Sequence, residues 1–289
     1  MDRFSDWAKT ASYFGQYPST LYAQARTESG ERVQQQKGTS LITAAVREGI
    51  LIAADDLVFG ESEGRIISVR TGVQKVVIAY KNLLIGSAGL LEGRKIKYKF
   101  ENWIADFIEE HSGDPQKRPL DLANAIQREV RATFETGECS VEKGYWRNHG
   151  PNDWIVHYVV AGYTEQFKQH YIYEVGAKLD AKGNGLTYPS LSHHRREFPD
   201  MFLVGEDEFV LRAYKGVEPQ FSLYQELARV AFRDIGMLVP NIPQSLQEVA
   251  AEVVALVKVE AKFNAQKVGT TVHIVLIDRG ARKTYTAIL

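Results

Sequence analysis

The fold is decided between Lys37 and Asp56, where the sequence reads KGTSLITAAVREGILIAADD. Its two apolar runs are separated by Glu48-Gly49, a dipeptide suited to the turn of a β-hairpin. A second stretch at 74–93, QKVVIAYKNLLIGSAGLLEG, repeats this arrangement around Lys81-Asn82 and closes on the turn-like GSAG. The runs are apolar almost throughout, which is typical of strands that are covered on both faces. Two buried hairpins are therefore predicted.

Groups of helices and strands alternate along the rest of the chain. Apolar residues spaced by three or four predict helices at 91–110, 120–134, 222–237 and 245–263. β-Branched and apolar runs predict strands at 65–70, 154–163, 169–175, 201–204, 268–277 and 283–289, and residues 189–200 are predicted to form a polar loop. This order predicts an α+β fold, a four-layer αββα sandwich in which helices cover two stacked antiparallel sheets.

The composition excludes several classes of protein. The chain has 289 residues with 44% hydrophobic and 25% charged residues, which is ordinary for a globular protein. The formal net charge of −1 argues against a nucleic-acid or membrane-surface partner. The single cysteine, Cys139, rules out a disulfide within the chain, and no apolar run is long enough to span a bilayer. The N-terminus lacks the apolar core of a signal peptide, so a cytoplasmic protein is expected.

The stretch from Lys37 to Asp56 resembles the start of proteasome β-type subunits and their bacterial relatives, which belong to the N-terminal-nucleophile (Ntn) hydrolases. That family begins its mature chain at a threonine cut from a glycine, and its first hairpin ends in a Leu-Ala-Ala-Asp-like run, here LIAAD at 51–55. Asp55 follows Thr39 by 16 residues, which is the family spacing. Lys75 precedes the next hairpin as the family lysine does, and the resemblance extends over residues 37–289.

The resemblance implies four catalytic residues. Thr39 would be the nucleophile, and its α-amine, with a pKa of about 8 once Gly38 is removed, would be the base. Lys75 would lower the pKa of the hydroxyl, and Asp55 would keep Lys75 charged and oriented. The backbone N–H of Gly89 would stabilise the oxyanion.

The sequence departs from the family at the residues that support this site. The family places a Gly-Ser-Gly turn after the strand that reads MFLVG here, whereas this chain continues with Glu206 and Asp207. It also places an aspartate and a serine where this chain has Ala265 and Val268. Loss of these groups is expected to weaken proton transfer.

Two functions therefore remain open. The first is a self-processing threonine-type peptidase, and the second is a catalytically inactive, unprocessed scaffold or assembly subunit. Residues 1–38 are interpreted as an N-terminal extension or propeptide, and residues 39–289 as the Ntn-hydrolase domain. The resemblance implies a homo-oligomeric ring, a peptide or unfolded-protein substrate and an ATPase partner, with no cofactor and no metal.

Weaker motifs point to no other function. The GNG at 183–185 lacks the third glycine of a phosphate-binding loop. The polar segment from His193 to Arg196 is interpreted as an exposed loop in preference to an anion or metal site, and Cys139 has no CxxC partner.

Overall fold

The computed structural model describes residues 35–37, 40–62, 65–93, 98–110, 118–136, 150–164, 166–193, 200–205, 208–240 and 244–289. The strands are β1 (Gln35–Lys37), β2 (Ser40–Val46), β3 (Gly49–Asp55), β4 (Val58–Ser62), β5 (Arg65–Arg70), β6 (Val76–Tyr80), β7 (Leu83–Gly93), β8 (Tyr98–Lys99), β9 (Trp154–Tyr163), β10 (His170–Leu179), β11 (Leu186–Thr187), β12 (Ser190–His193), β13 (Asp200–Gly205), β14 (Val272–Asp278) and β15 (Lys283–Ile288). The helices are α1 (Phe100–Glu110), α2 (Pro119–Thr136), α3 (Glu208–Tyr214), α4 (Gln220–Asp234) and α5 (Leu246–Phe263).

The strands form two antiparallel sheets. One sheet has five strands in the order β13-β2-β3-β14-β15. The other has ten strands, with β11-β10-β9-β7-β1-β4-β5 as its main path, while β12 pairs with β10 and both β6 and β8 pair with β7. The two hairpins predicted from the apolar runs are β2–β3 and β6–β7, and both are confirmed.

Three hydrophobic cores join four layers. α1 and α2 pack on the ten-stranded sheet through residues such as Phe107 and Tyr158. The facing sides of the two sheets meet at residues such as Ile52 and Val159. α5 covers the outer side of the five-stranded sheet, where Val253 is buried. The predicted αββα sandwich is therefore confirmed.

Strand β3 explains why the apolar runs do not alternate. Ile50 and Ile52 lie in the core between the sheets, whereas Leu51 and Ala53 lie in the core beneath α5. Because successive side chains of a strand point to opposite faces, a strand with apolar contacts on both faces needs apolar residues at every position.

Several predicted boundaries were wrong. Strand β7 continues to Gly93, so the helix predicted at 91–110 begins only at Phe100, and the GSAG at 86–89 lies within a strand. The polar loop predicted at 189–200 contains β12, which pairs with β10. Helix α3 was not predicted, and α4 begins at Gln220 and ends at Asp234, earlier than predicted at both ends.

Helix α5 starts where its sequence predicts. Ser245 accepts a hydrogen bond from the backbone N–H of Glu248, and the Glu248 carboxylate accepts one from the N–H of Ser245. This reciprocal capping box satisfies backbone donors that have no partner within the helix. Within the described part of the chain, no helix is both long and apolar enough to cross a lipid bilayer.

Candidate active site

An ion pair between Asp55 and Lys75 lies at the centre of the candidate site. Asp55 is the last residue of β3, and Lys75 directly precedes β6, so the pair links the two sheets. The Lys75 Nζ lies 2.9 Å from Asp55 Oδ1, and both side chains are fully buried. Removing two charges from water costs several kcal/mol per ion, which only good geometry and further hydrogen bonds can offset.

Asp55 has those further hydrogen bonds. Its Oδ1 accepts from Lys75 Nζ and from the backbone N–H of Ser40 at 2.8 Å. Its Oδ2 accepts from the backbone N–H groups of Leu57 and Gly269, both at 2.9 Å. One carboxylate therefore holds the start of β2, the end of β3, the segment before β6 and the loop before β14.

Lys75 is also fixed by hydrogen bonds. Its Nζ donates to Asp55 and also to the carbonyl oxygen of Leu57 at 2.5 Å. Burial lowers the pKa of Lys75 below its usual value, and the negative charges of Asp55 and Asp56 oppose this effect. A lysine whose pKa is lowered can exchange a proton closer to neutral pH than an exposed lysine can.

Two titratable residues near this pair were missed by the sequence analysis. Asp56 is buried, and its Oδ2 accepts from the backbone N–H of Gly72 at 3.0 Å. His273 lies on β14 opposite Ala54, and burial lowers its pKa while Asp56 opposes that change. The Asp-Asp doublet at the end of LIAADD could have indicated Asp56, whereas His273 reaches the site only through the pairing of β14 with β3.

The loop before β14 reaches the site through its backbone. Gly269 donates its N–H to Asp55, and a Cβ atom at this position would lie 2.3 Å from Asp56 Oδ1. A side chain at this position would therefore force Asp56 or the loop to move. Of the two residues at which the sequence departs from the resemblance, Val268 is buried in the core beneath α5 and Ala265 is exposed.

Gly89 lies beside the chain that leads into Thr39. Its φ of +79° is the left-handed conformation that glycine adopts most readily, and a Cβ would lie 2.7 Å from the Ile155 carbonyl oxygen. Lys37 pairs with Leu90, the residue after Gly89. The predicted oxyanion donor is thus adjacent to the strand that precedes residues 38–39.

Thr39 itself lies outside the described residues, as do Gly38, Glu206, Asp207 and Cys139. The chain on both sides of residues 38–39 is described, with Lys37 in β1 and Ser40 in β2. Gly205, the residue before Glu206, pairs with Ser40. Asp55, Lys75 and Gly89 are therefore gathered around the neighbours of Thr39.

A metal centre finds no support in the described part of the chain, where no group of three or more His, Cys, Asp or Glu residues could hold an ion. His193 lies at the end of β12, and the rest of the polar segment, 194–199, is outside the described residues.

Comparison with known proteins identifies a similar structure and no family. No protein-family model matches the chain, and no curated protein matches it. A similar solved structure is Anbu (ancestral beta-subunit) from Yersinia bercovieri, with a TM-score of 0.49 over 86% of each chain and 11% sequence identity.

Proposed function

We propose that the chain is a self-processing threonine-type peptidase of the proteasome-like Ntn class, with Thr39 as its N-terminal nucleophile. One observation carries the proposal. The N–H of Ser40, the residue after Thr39, is bonded to the carboxylate that binds the buried Lys75. A fully buried ion pair that is tied to the backbone next to a threonine offers what nucleophilic catalysis by a hydroxyl requires.

The residues would divide the work as follows. Cleavage after Gly38 would free the α-amine of Thr39, which takes the proton of its own hydroxyl as that hydroxyl attacks a peptide carbonyl. The proton would pass to the peptide nitrogen as the C–N bond breaks, and water would then hydrolyse the Thr39 ester and restore the hydroxyl. Lys75 would stabilise the developing alkoxide, and Asp55 would keep Lys75 in place. The N–H of Gly89 would donate to the oxyanion.

The position of β1 suggests where a substrate would bind. β1 pairs with β4 on one side and with β7 on the other. Because neighbouring strands lie about 4.8 Å apart, withdrawal of β1 would leave a gap of about 10 Å between two unpaired strand edges. An extended peptide could fill that gap by strand addition. A synthetic peptide of residues 31–38 is therefore expected to inhibit turnover competitively, and a scrambled peptide is the control.

Mass spectrometry of the purified protein tests the proposal most directly. We expect a chain that begins at Thr39 and that hydrolyses fluorogenic peptides. Thr39→Ala is expected to leave the N-terminus intact and to abolish turnover, whereas Thr286→Ala, on the exposed part of β15, should change neither. An intact wild-type N-terminus together with no peptide turnover would rule out the proposal.

The second candidate is an unprocessed, inactive scaffold subunit. It is favoured by the same strand, because β1 is hydrogen-bonded within the ten-stranded sheet and precedes the cleavage point. If the chain is not cleaved at 38–39, or if β1 stays in place after cleavage, β1 fills the gap between β4 and β7 and no substrate can bind there. Detection of a free N-terminal Thr39 without residues 1–38 would eliminate this candidate.

Both candidates include assembly into a homo-oligomer, which we propose is a ring. Sedimentation velocity is expected to show a species several times the 32.6 kDa chain mass. A monomer at all concentrations would contradict the proposed assembly. It would not contradict the proposed peptidase activity, which is tested separately by mass spectrometry.

A further inference from the structure

A cavity of about 870 Å³ opens at the end of the five-stranded sheet opposite to Asp55. It is lined by three turns, at 47–48, 166–168 and 278–282, and by the start of α5. β3 separates this cavity from Asp55, and six residues of extended chain span about 20 Å. The cavity is therefore a separate feature from the candidate active site.

The cavity carries an excess of positive charge. Its cationic side chains are Arg47, Lys168, Arg279 and Arg282, and its carboxylates are Glu48 and Asp278. Within the described part of the chain, none of the four cations forms an ion pair.

Both carboxylates are engaged by backbone groups. Glu48 Oε2 accepts from the N–H of Leu246 at 3.1 Å, at the start of α5. Asp278 Oδ1 accepts from the N–H of Ala281 at 2.8 Å, within the β14–β15 turn. Their lone pairs are thus partly occupied, and four cations face two carboxylates. Like charges gathered in one cleft raise the local potential and attract an anion.

The cavity is also preformed. Arg279 donates through Nε to the Phe167 carbonyl at 2.8 Å and through Nη2 to the Lys168 carbonyl at 3.1 Å. Its backbone N–H donates to the Glu48 carbonyl at 2.8 Å. One arginine therefore ties all three turns together, so that a ligand would find the walls already in place.

Two of the cavity's residues have unfavourable backbone conformations. Phe167 and Arg282 have φ values of +54° and +53°, and the Arg282 guanidinium lies over the Phe167 ring at 5.8 Å. In the described residues, the only other non-glycine residue with positive φ is Asn152. Such residues cost about 1 kcal/mol or more and concentrate at functional sites.

We propose that this cavity binds a small ligand that carries phosphate groups. Its volume is within the range of small-molecule sites, and arginine is the side chain best suited to hold phosphate through paired hydrogen bonds. Phe167, the cavity's aromatic residue, is 7% exposed. It therefore offers little surface on which a nucleobase could stack, and the phosphate groups supply the recognition.

Calorimetric titration of the full chain at low ionic strength, with inorganic phosphate, pyrophosphate and ADP, tests the proposal. We expect pyrophosphate to bind more tightly than phosphate, because two phosphate groups engage more of the cations. ADP should bind no more tightly than pyrophosphate if the phosphates alone are recognised, because both compounds carry two phosphate groups. A clear preference for ADP would overturn the recognition by phosphate groups alone.

Variants decide whether the cavity is responsible. Arg47→Ala and Arg282→Ala are each expected to weaken pyrophosphate binding about tenfold, the loss of one charge-assisted contact. Arg229→Ala, an exposed arginine of α4 outside the cavity, is the matched control and should bind normally. Circular dichroism melting confirms that each variant is folded.

Two results would overturn the proposal. One is the absence of binding by all three compounds at about 10 mM, where even a millimolar site would be occupied. The other is pyrophosphate binding that is equal in Arg229→Ala and in the cavity variants, whether it is weakened in all of them or in none, because the cavity would then not be responsible. Binding is expected to persist in Thr39→Ala, so this test is independent of the proposed peptidase activity.

Discussion

Two buried carboxylates in different layers of the sandwich have contrasting surroundings. Asp55, at the end of β3, is fully buried and accepts hydrogen bonds from four donors, one of which is the Lys75 ammonium. Glu252, on α5 facing α4, is 6% exposed, and within the described part of the chain it accepts only from the Tyr224 hydroxyl, at 3.2 Å. Its Oε2 has no hydrogen-bond partner among the described residues.

The two carboxyl groups differ in the number of hydrogen-bond donors that surround them. Burial raises the pKa of Glu252, and the Tyr224 hydroxyl only partly opposes this change. The Glu252 carboxyl therefore holds its proton more strongly than an exposed glutamate does. Around Asp55, four donors from four segments converge on one carboxyl group. Buried charges with a specific charge partner mark candidate functional sites, so the Asp55 region is the better candidate for chemistry.

The largest expected effect is that of Asp55→Asn. The amide would place an NH₂ group against two donors and would leave Lys75 buried without its counter-charge. Breaking a buried pair in this way typically costs about 3–5 kcal/mol. Urea unfolding of Asp55→Asn is expected to show a loss of that size and the proposed peptide turnover should disappear. A loss below about 1 kcal/mol, as surface substitutions give, would mean that the carboxylate is not required in its charged form.

Gly269→Ala tests the hydrogen bonding around Asp55 without removing any charge. Its Cβ would lie 2.3 Å from Asp56 Oδ1 and 2.9 Å from Leu57 Cβ, so the loop must shift and weaken its bond to Asp55. We expect a loss of about 1–3 kcal/mol in the free energy of unfolding. Gly280→Ala is the matched control, because the nearest atom to its Cβ would be 3.4 Å away. Equal stability of the two variants would contradict the expected shift of the loop at 269.

Asp55 and Gly269 show how far the sequence could predict the site. Asp55 and Lys75 were visible because each is a charged residue at the edge of an apolar run. The bond from Gly269 to Asp55 joins residues 214 positions apart, and it exists only because β14 pairs with β3. No local pattern carries that information.

The same distinction applies to the fold. The apolar runs correctly predicted the layers, because burial on both faces of a strand leaves a local signature. The start of α1 was misplaced because LLEG at 90–93 combines leucines with a glutamate, a composition that suits a helix as well as a strand. Residues 90–93 form a strand because β7 pairs with β1 and β8 there. Tertiary contacts therefore override local preference at this boundary.

Glu252→Gln should raise the stability of the fold at pH 7, whereas Asp55→Asn should lower it. Since the folded-state pKa of Glu252 is raised, its ionisation opposes folding as the pH rises above about 4.5, its ordinary value. The amide removes this penalty, so the melting temperature of the variant is expected to exceed that of the wild type at pH 7. The difference should shrink as the pH falls below about 4.5, because both states of the wild type then take up the proton. Destabilisation at pH 7 would show that the charge of Glu252 is used after all.

The smallest expected effect concerns His273, which lies at the edge of the Asp55 region. Burial lowers its pKa below the ordinary value of 6.5, so the unfolded chain takes up a proton before the folded chain does. As the pH falls below about 6.5, this histidine therefore reduces the free energy of unfolding, until the lower folded-state pKa is passed. His273→Asn is expected to lose less stability than the wild type between pH 7 and 5, as measured by urea unfolding. An NMR titration that gave His273 a pKa above 6.5 would reverse the predicted slope and show that the carboxylates of Asp55 and Asp56 outweigh its burial.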